Sequence, residues 1–166
     1  FHPMPKVAFV SALPVGTESV AETLVLQAFD PMSPHDIGEE IKRQLPEGIR
    51  IISVEELVRG TKAPKLRESH FHIIIDGFQV NREKMDRFLQ SEYFPVKKRG
   101  KKGEQTINAR DLVKSMDLIP PDGLQIVIRH GSGHELRPLD IVREVFQLGR
   151  DHIDAARILK TKQVMH

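Results

Sequence analysis

A chain of 166 residues has room for one ordinary domain or two small ones. Its 25 Lys and Arg against 23 Asp and Glu leave a net charge of +2, and 39% apolar residues suffice for a buried core, which argues against wholesale disorder. The absence of Cys excludes disulfides, thiolate zinc sites, cysteine nucleophiles and any iron–sulfur cluster held by the chain itself.

Apolar runs such as Ile73, Ile74, Ile75 fall far short of the roughly 20 residues that cross a bilayer, so no membrane association and a cytoplasmic location are expected. The chain opens on Phe1 with no signal peptide, and is read as the interior of a longer protein. Residues 6–13 form an apolar run closed by Pro14 and Gly16, as in a strand entering a turn. Residues 23–29 mix β-branched and apolar side chains before Asp30 and Pro31, so the two segments predict a hairpin. Ser33, Pro34 and Asp36 are a helix start, with Ile37, Ile41 and Leu45 on one face and Pro46 and Gly48 at the end. Residues 49–58 return to a β-rich pattern. The polar stretch at residues 59–67, with Gly60 and Pro64, marks a linker, set at residues 61–68 between a unit of residues 1–60 and one of residues 69–166.

In the second unit, residues 69–76 predict a strand, and residues 81–90 a helix capped by Asn81 with Met85, Phe88 and Leu89 inward. Residues 93–98 are a further strand candidate. Asn108 is placed to cap a short helix through Ser115 that carries Leu112 and Val113 on one side. Residues 124–129 predict a strand, and residues 138–148 a helix with Ile141, Val142, Val145 and Phe146 inward, closed by Gly149. The tail, residues 151–165, fits a helix through Ala155, Ala156 and Leu159, the preferred reading, or a strand near Ile158. The rhythm implies an α+β fold of two ferredoxin-like, split βαβ halves on mainly antiparallel sheets, the first lacking its opening strand and helix.

The strongest chemical signal is the run Lys97, Lys98, Arg99, Gly100, Lys101, Lys102, Gly103, which sets five positive charges within six positions. It reads as a flexible cationic loop suited to phosphate, or as a solvated loop that keeps the chain soluble. Charge is concentrated here: residues 1–60 hold 5 basic and 9 acidic side chains, whereas residues 61–120 hold 13 and 8. Tyr93 and Phe94 adjoin the run, and Phe71 and Phe78 are further aromatics that a sheet face would offer to bases, although core packing is their commoner use. His130 and His134 bracket Gly131, Ser132 and Gly133. With Glu135 they have the atoms for a small metal site or an acid–base pair, but a glycine-rich turn does not hold both rings on one side as a helix would. His70 and His72 alternate along a strand and so share a face. The Gly131 turn lacks the Lys-Ser/Thr ending of a phosphate loop, and Ser11 and Ser19 lack a nucleophile elbow. Adjacent acids such as Glu39 with Glu40 and Glu55 with Glu56 belong to solvated faces. No self-sufficient catalytic constellation, cofactor site or metal site emerges, so the chain is not expected to be catalytic on its own.

The opening Phe1, His2, Pro3, Met4, Pro5, Lys6, then Phe9, then Ala12, Leu13, Pro14, Val15, Gly16, Thr17, Glu18, Ser19, resembles the radical-SAM-linked family. That is an uncharacterised bacterial domain of unknown function, fused to radical SAM proteins or encoded beside them. The likeness continues through Glu22, Leu24, Ser33, Pro34, the segment Leu45, Pro46, Glu47, Gly48, then Arg99, Gly100, Lys101, then Asn108, Ala109, Arg110, and Leu136, Arg137, Pro138. Arg110 thereby joins Lys97, Lys98, Arg99, Lys101 and Lys102 as a candidate RNA contact. Family members carry a strand and helix with a Ser-His-Leu-Asp-Leu-like segment before the shared motif, and this chain has none. Physically, Pro3, Pro5, Pro14 and Gly16 set an extended entry and a tight exit for the first strand, with His2, Lys6 and Glu18 as the polar groups around it. His2 and Glu18 fit either a site or a turn-stabilising hydrogen bond.

The resemblance implies a radical SAM partner, fused or separate, and no established reaction for the domain. Together with the basic run, it leads to an accessory module that binds RNA, tRNA or rRNA among them, and helps present it to that partner. The alternative is a protein–protein docking module for the radical SAM enzyme without RNA contact. A third reading, an enzyme using His2, Glu18 and a preceding segment, predicts turnover only by a longer protein.

Overall fold

The computed structural model describes residues 6–28, 31–58, 60–100, 103–121 and 123–166. His2, Pro3, Pro5, Lys101 and Lys102, on which part of the sequence reading rests, lie outside the described residues. The chain divides into two compact units, one made of the segment through Phe9 and Leu24–Ala63, the other of Val10–Thr23 and Pro64–His166.

In the smaller unit, β1 (Lys6–Phe9) pairs antiparallel with β3 (Leu24–Gln27), Lys6 opposite Gln27 and Phe9 opposite Leu24. This is the expected pairing, but its connection holds a strand of the other unit rather than a tight loop. Helix α1 (Pro34–Gln44) starts as read: Ser33 Oγ accepts from the Asp36 amide at 3.1 Å and donates to Asp36 Oδ2 at 2.7 Å. Residues 49–58 are not a strand, correcting the β-rich reading. Lacking a neighbouring strand edge, they leave Ile49, Ile52 and Val58 exposed, while Val54 rests against α1 at Gly38. No described residue of this unit is fully buried.

The larger unit is built on a five-stranded sheet in the order β2 (Thr17–Ser19), β9 (Ala156–Met165), β4 (Leu66–Ile75), β8 (Gly123–Arg129), β7 (Val113–Ile119). All neighbours are antiparallel except β2 and β9, which run parallel, so the sheet is mixed. The α+β class is thus observed, in the form of one mixed five-stranded sheet and two two-stranded ones. Alternation along β4 buries Ser69, Phe71, Ile73 and Ile75 on one face and leaves Glu68, His70 and His72 on the other. Leu124 and Ile126 stand opposite Ile73 and Phe71, and Met116 opposite Ile126, extending the apolar face. Helix α2 (Arg82–Gln90), capped by Asn81, adds Met85 and Phe88 to this core, and α4 (Pro138–Phe146) adds Ile141, Val142, Val145 and Phe146. Phe88 packs edge-on to Phe94 at 5.0 Å and Phe78 to Phe146 at 5.5 Å, so these aromatics serve the core, as does the buried Phe71.

Two element readings are corrected. The Asn108 helix is a single turn, α3 (Ala109–Leu112), and Val113 already begins β7. Sheet pairing of Val113 with Ile128 and Met116 with Ile126 overrides a weak helical pattern. The tail is helical only over α5 (Arg150–Asp154); β9 follows as a ten-residue strand. Lying between β2 and β4, β9 gains hydrogen bonds on both edges, which outweighs the helix preference of Ala156 and Leu159.

Candidate nucleic-acid interface

Much of the basic run is strand. β5 (Pro95–Gly100) and β6 (Gly103–Asn108) form a hairpin with Lys98 opposite Gln105, Val96 opposite Ile107, and Gly100 opposite Gly103. Lys97, Lys98 and Arg99 therefore stand on a pleated ribbon rather than a flexible loop, and the pleat sorts them. Val96, Lys98, Gln105 and Ile107 share one face, while Lys97, Arg99, Glu104 and Thr106 share the other. Val96 and Ile107 are buried and fix the base of the hairpin to the core. On the outer face Lys97 Nζ reaches Glu104 Oε1 at 2.8 Å, and this carboxylate raises the lysine pKa above its ordinary value. Arg99 is exposed.

The base of the hairpin is tied by Asn108. Its Oδ1 accepts from the amides of Phe94 at 2.8 Å and Arg110 at 3.2 Å, and its Nδ2 donates to Glu92 O and Asp111 Oδ1. Arg110 is partly buried: Nε donates to Ser91 O, an NH group to Val113 O, and the guanidinium lies 5.1 Å from the centre of the Phe88 ring. Those contacts occupy it within the fold, apart from the exposed cations of β5.

The inner face of the hairpin meets the loop after β8. Lys98 Nζ donates to the carbonyl of Glu135 at 2.8 Å. Between them lies a cavity of about 450 Å³, with the buried Ile107 in its wall, Lys98 and Gln105 on the hairpin side, and Gly131, Gly133, His134 and Glu135 on the loop side. Gly131 and Gly133 have φ of 105° and 78°, left-handed backbone that a side chain would strain. His130 and His134 part ways here. His134 stays exposed, whereas His130 is half-buried with Nε2 2.9 Å from Ser69 Oγ, and its amide donates to Arg67 O at 2.7 Å. Burial lowers the His130 pKa, opposed by Glu135 and assisted by Lys160. No group of three His, Asp or Glu among the described residues is arranged to hold a metal ion.

Two other polar clusters are present. Lys160, 1% exposed, pairs with Glu22 at 2.7 Å, and Ser19 Oγ donates to the same carboxylate oxygen at 2.8 Å. On the opposite sheet face Lys114 spans to Glu68 at 2.7 Å and lowers its pKa, while burial, together with Lys162, lowers that of His70. Of the opening motif, Lys6 is exposed on β1, Pro14 and Gly16 turn the chain into β2, and Glu18 is exposed on β2. Lys6 belongs to one unit and Pro14, Gly16 and Glu18 to the other.

Gln105 and Ile107 were not singled out by the sequence. The signal that finds them is the pair of glycines at 100 and 103, which implies a two-residue turn and hence the register opposite Lys98 and Val96.

The chain belongs to a bacterial family described as "Uncharacterized protein conserved in bacteria (DUF2344)", whose model matches residues 1–138. No curated protein and no solved structure matches it. No helix among the described residues is long and apolar enough to cross a membrane.

Proposed function

We propose that this domain is an accessory RNA-binding module that presents RNA to a radical SAM partner. The observation that carries the reading is the rigid hairpin, which displays Lys97 and Arg99 on one face and Lys98 on the other, at the rim of a glycine-lined cavity. Cations on a fixed ribbon contact phosphates without reading sequence, and single-stranded RNA follows such grooves readily. The radical SAM association is supported by the likeness of the opening motif, and the partner supplies the cluster that a chain without Cys does not bind.

The test is fluorescence anisotropy of labelled tRNA and rRNA fragments. Replacing Lys97 and Arg99 by Ala is expected to weaken binding of every fragment by a similar factor, on the order of tenfold, with the melting temperature nearly unchanged. A loss confined to one sequence, or no loss, contradicts the assignment.

The docking alternative draws on a different observation. In the smaller unit Val7, Phe9, Ile49, Ile52 and Val58 are 51%, 64%, 60%, 75% and 77% exposed, with no described residue fully buried beside them. A docking role predicts co-purification with the radical SAM enzyme that survives high salt, since apolar contacts are not screened.

A further inference from the structure

The hairpin has two chemically different faces, and the division matches that of a nucleotide. Its outer face is cationic, through Lys97 and Arg99. Its inner face is not, because the charge of Lys98 is directed to a backbone carbonyl and the cavity it borders also holds the Glu135 side chain. A phosphate seated in that cavity would meet a carboxylate. A planar, uncharged polar ring would not, and the remaining lining suits one: buried Ile107 offers an apolar surface, Gln105 an amide, His134 an imidazole and Glu135 an acceptor. Among the described residues, neither the Gln105 amide nor the His134 ring makes a hydrogen bond within the protein, so both are open to a ligand. The backbone at Gly131 and Gly133 carries no side chain, which lets a ring approach the loop closely. The volume of about 450 Å³ lies within the range of about 300–1,000 Å³ typical of small-molecule sites.

We infer that the cavity between the β5–β6 hairpin and the Gly131 loop receives one unpaired RNA base that carries an exocyclic amine, adenine or cytosine, while its flanking phosphates lie on the outer face. The amine is the group that singles these bases out: a carboxylate accepts from it, and a glutamine amide pairs with the adenine edge. The base must be unpaired, because stacked and paired bases do not present these edges to so enclosed a site. The inference rests on the RNA-binding reading above and names the nucleotide that reading leaves open.

The test compares labelled 12-residue oligomers of A, C and U, and a duplex of equal length, binding to the full chain by fluorescence anisotropy. A preference of about tenfold or more for A or C over U and over duplex is expected, as one good base-edge contact supplies. Gln105→Ala and Glu135→Ala are each expected to shrink this preference while leaving the salt dependence intact. Those exposed substitutions keep the hairpin folded, which circular dichroism melting checks. Equal affinity for all three oligomers, with salt dependence preserved, overturns the base site and leaves the RNA-binding reading standing. No binding of any oligomer overturns both. Ribose 5-phosphate competing as well as adenosine and cytidine monophosphates overturns the base site too, because the cavity is then an anion site.

Discussion

The His130 side chain is held by burial and by its contact with Ser69, both of which favour the neutral ring. With its native pKa below the ordinary 6.5, the unfolded chain binds the extra proton more readily than the folded one. The stability this residue contributes is complete above pH 6.5 and is lost as pH falls through the lower native value. Urea denaturation at pH 7.5 and 5.5 is therefore expected to show a fall in stability that His130→Gln reduces. An equal fall in the variant contradicts the assignment. Lys160 makes a second expectation at this scale. Glu22→Ala leaves a lysine only 1% exposed without its carboxylate and is expected to cost about 3 kcal/mol. The double replacement Glu22→Leu with Lys160→Met removes both charges and is expected to cost much less. A double variant as unstable as the single one shows that packing, not the ion pair, sets the loss. Neither residue was legible in the sequence. Lys160 and Glu22 are joined only because β9 crosses the sheet beside β2, and nothing local to either position signals that pairing.

Elements with local start signals were legible, and those fixed by distant pairing were not. Ser33 and Asn81 cap α1 and α2 as their sequences indicate, since a cap needs only the next three residues. β7 and β9 carry helix-compatible residues and become strands because neighbours from elsewhere in the chain hold them. The cationic run was legible in composition but not in shape. Its two-faced geometry depends on the hairpin register, and the cavity depends on a loop 37 positions from Lys98. Asn108 is the residue on which this element hangs, because it bonds four groups around the hairpin base. Asn108→Ala is expected to cost about 1–3 kcal/mol and to accelerate amide exchange in β5 and β6. Unchanged exchange in the hairpin contradicts its anchoring role.

At the scale of the whole molecule, the two units differ in how completely they are built. The larger one closes a core around Phe71, Phe88, Ile126 and Ile141, and Phe88→Ala is expected to cost about 3–5 kcal/mol there. The smaller one carries a helix and a hairpin with a half-buried apolar strip. The linker read from Gly60 and Pro64 falls next to Ala63 and Pro64, where one unit ends and the other resumes, but no sequence signal assigned Val10–Thr23 to the larger unit. A three-residue edge strand is too short to announce itself. The central claim concerns the hairpin as a phosphate-contacting ribbon, and one titration bears on it most directly. The affinity for a single-stranded RNA, measured from low to physiological salt, is expected to fall steeply and linearly on logarithmic axes, and Lys97→Ala with Arg99→Ala is expected to lessen the slope by about one. A slope unchanged by that double replacement contradicts the account.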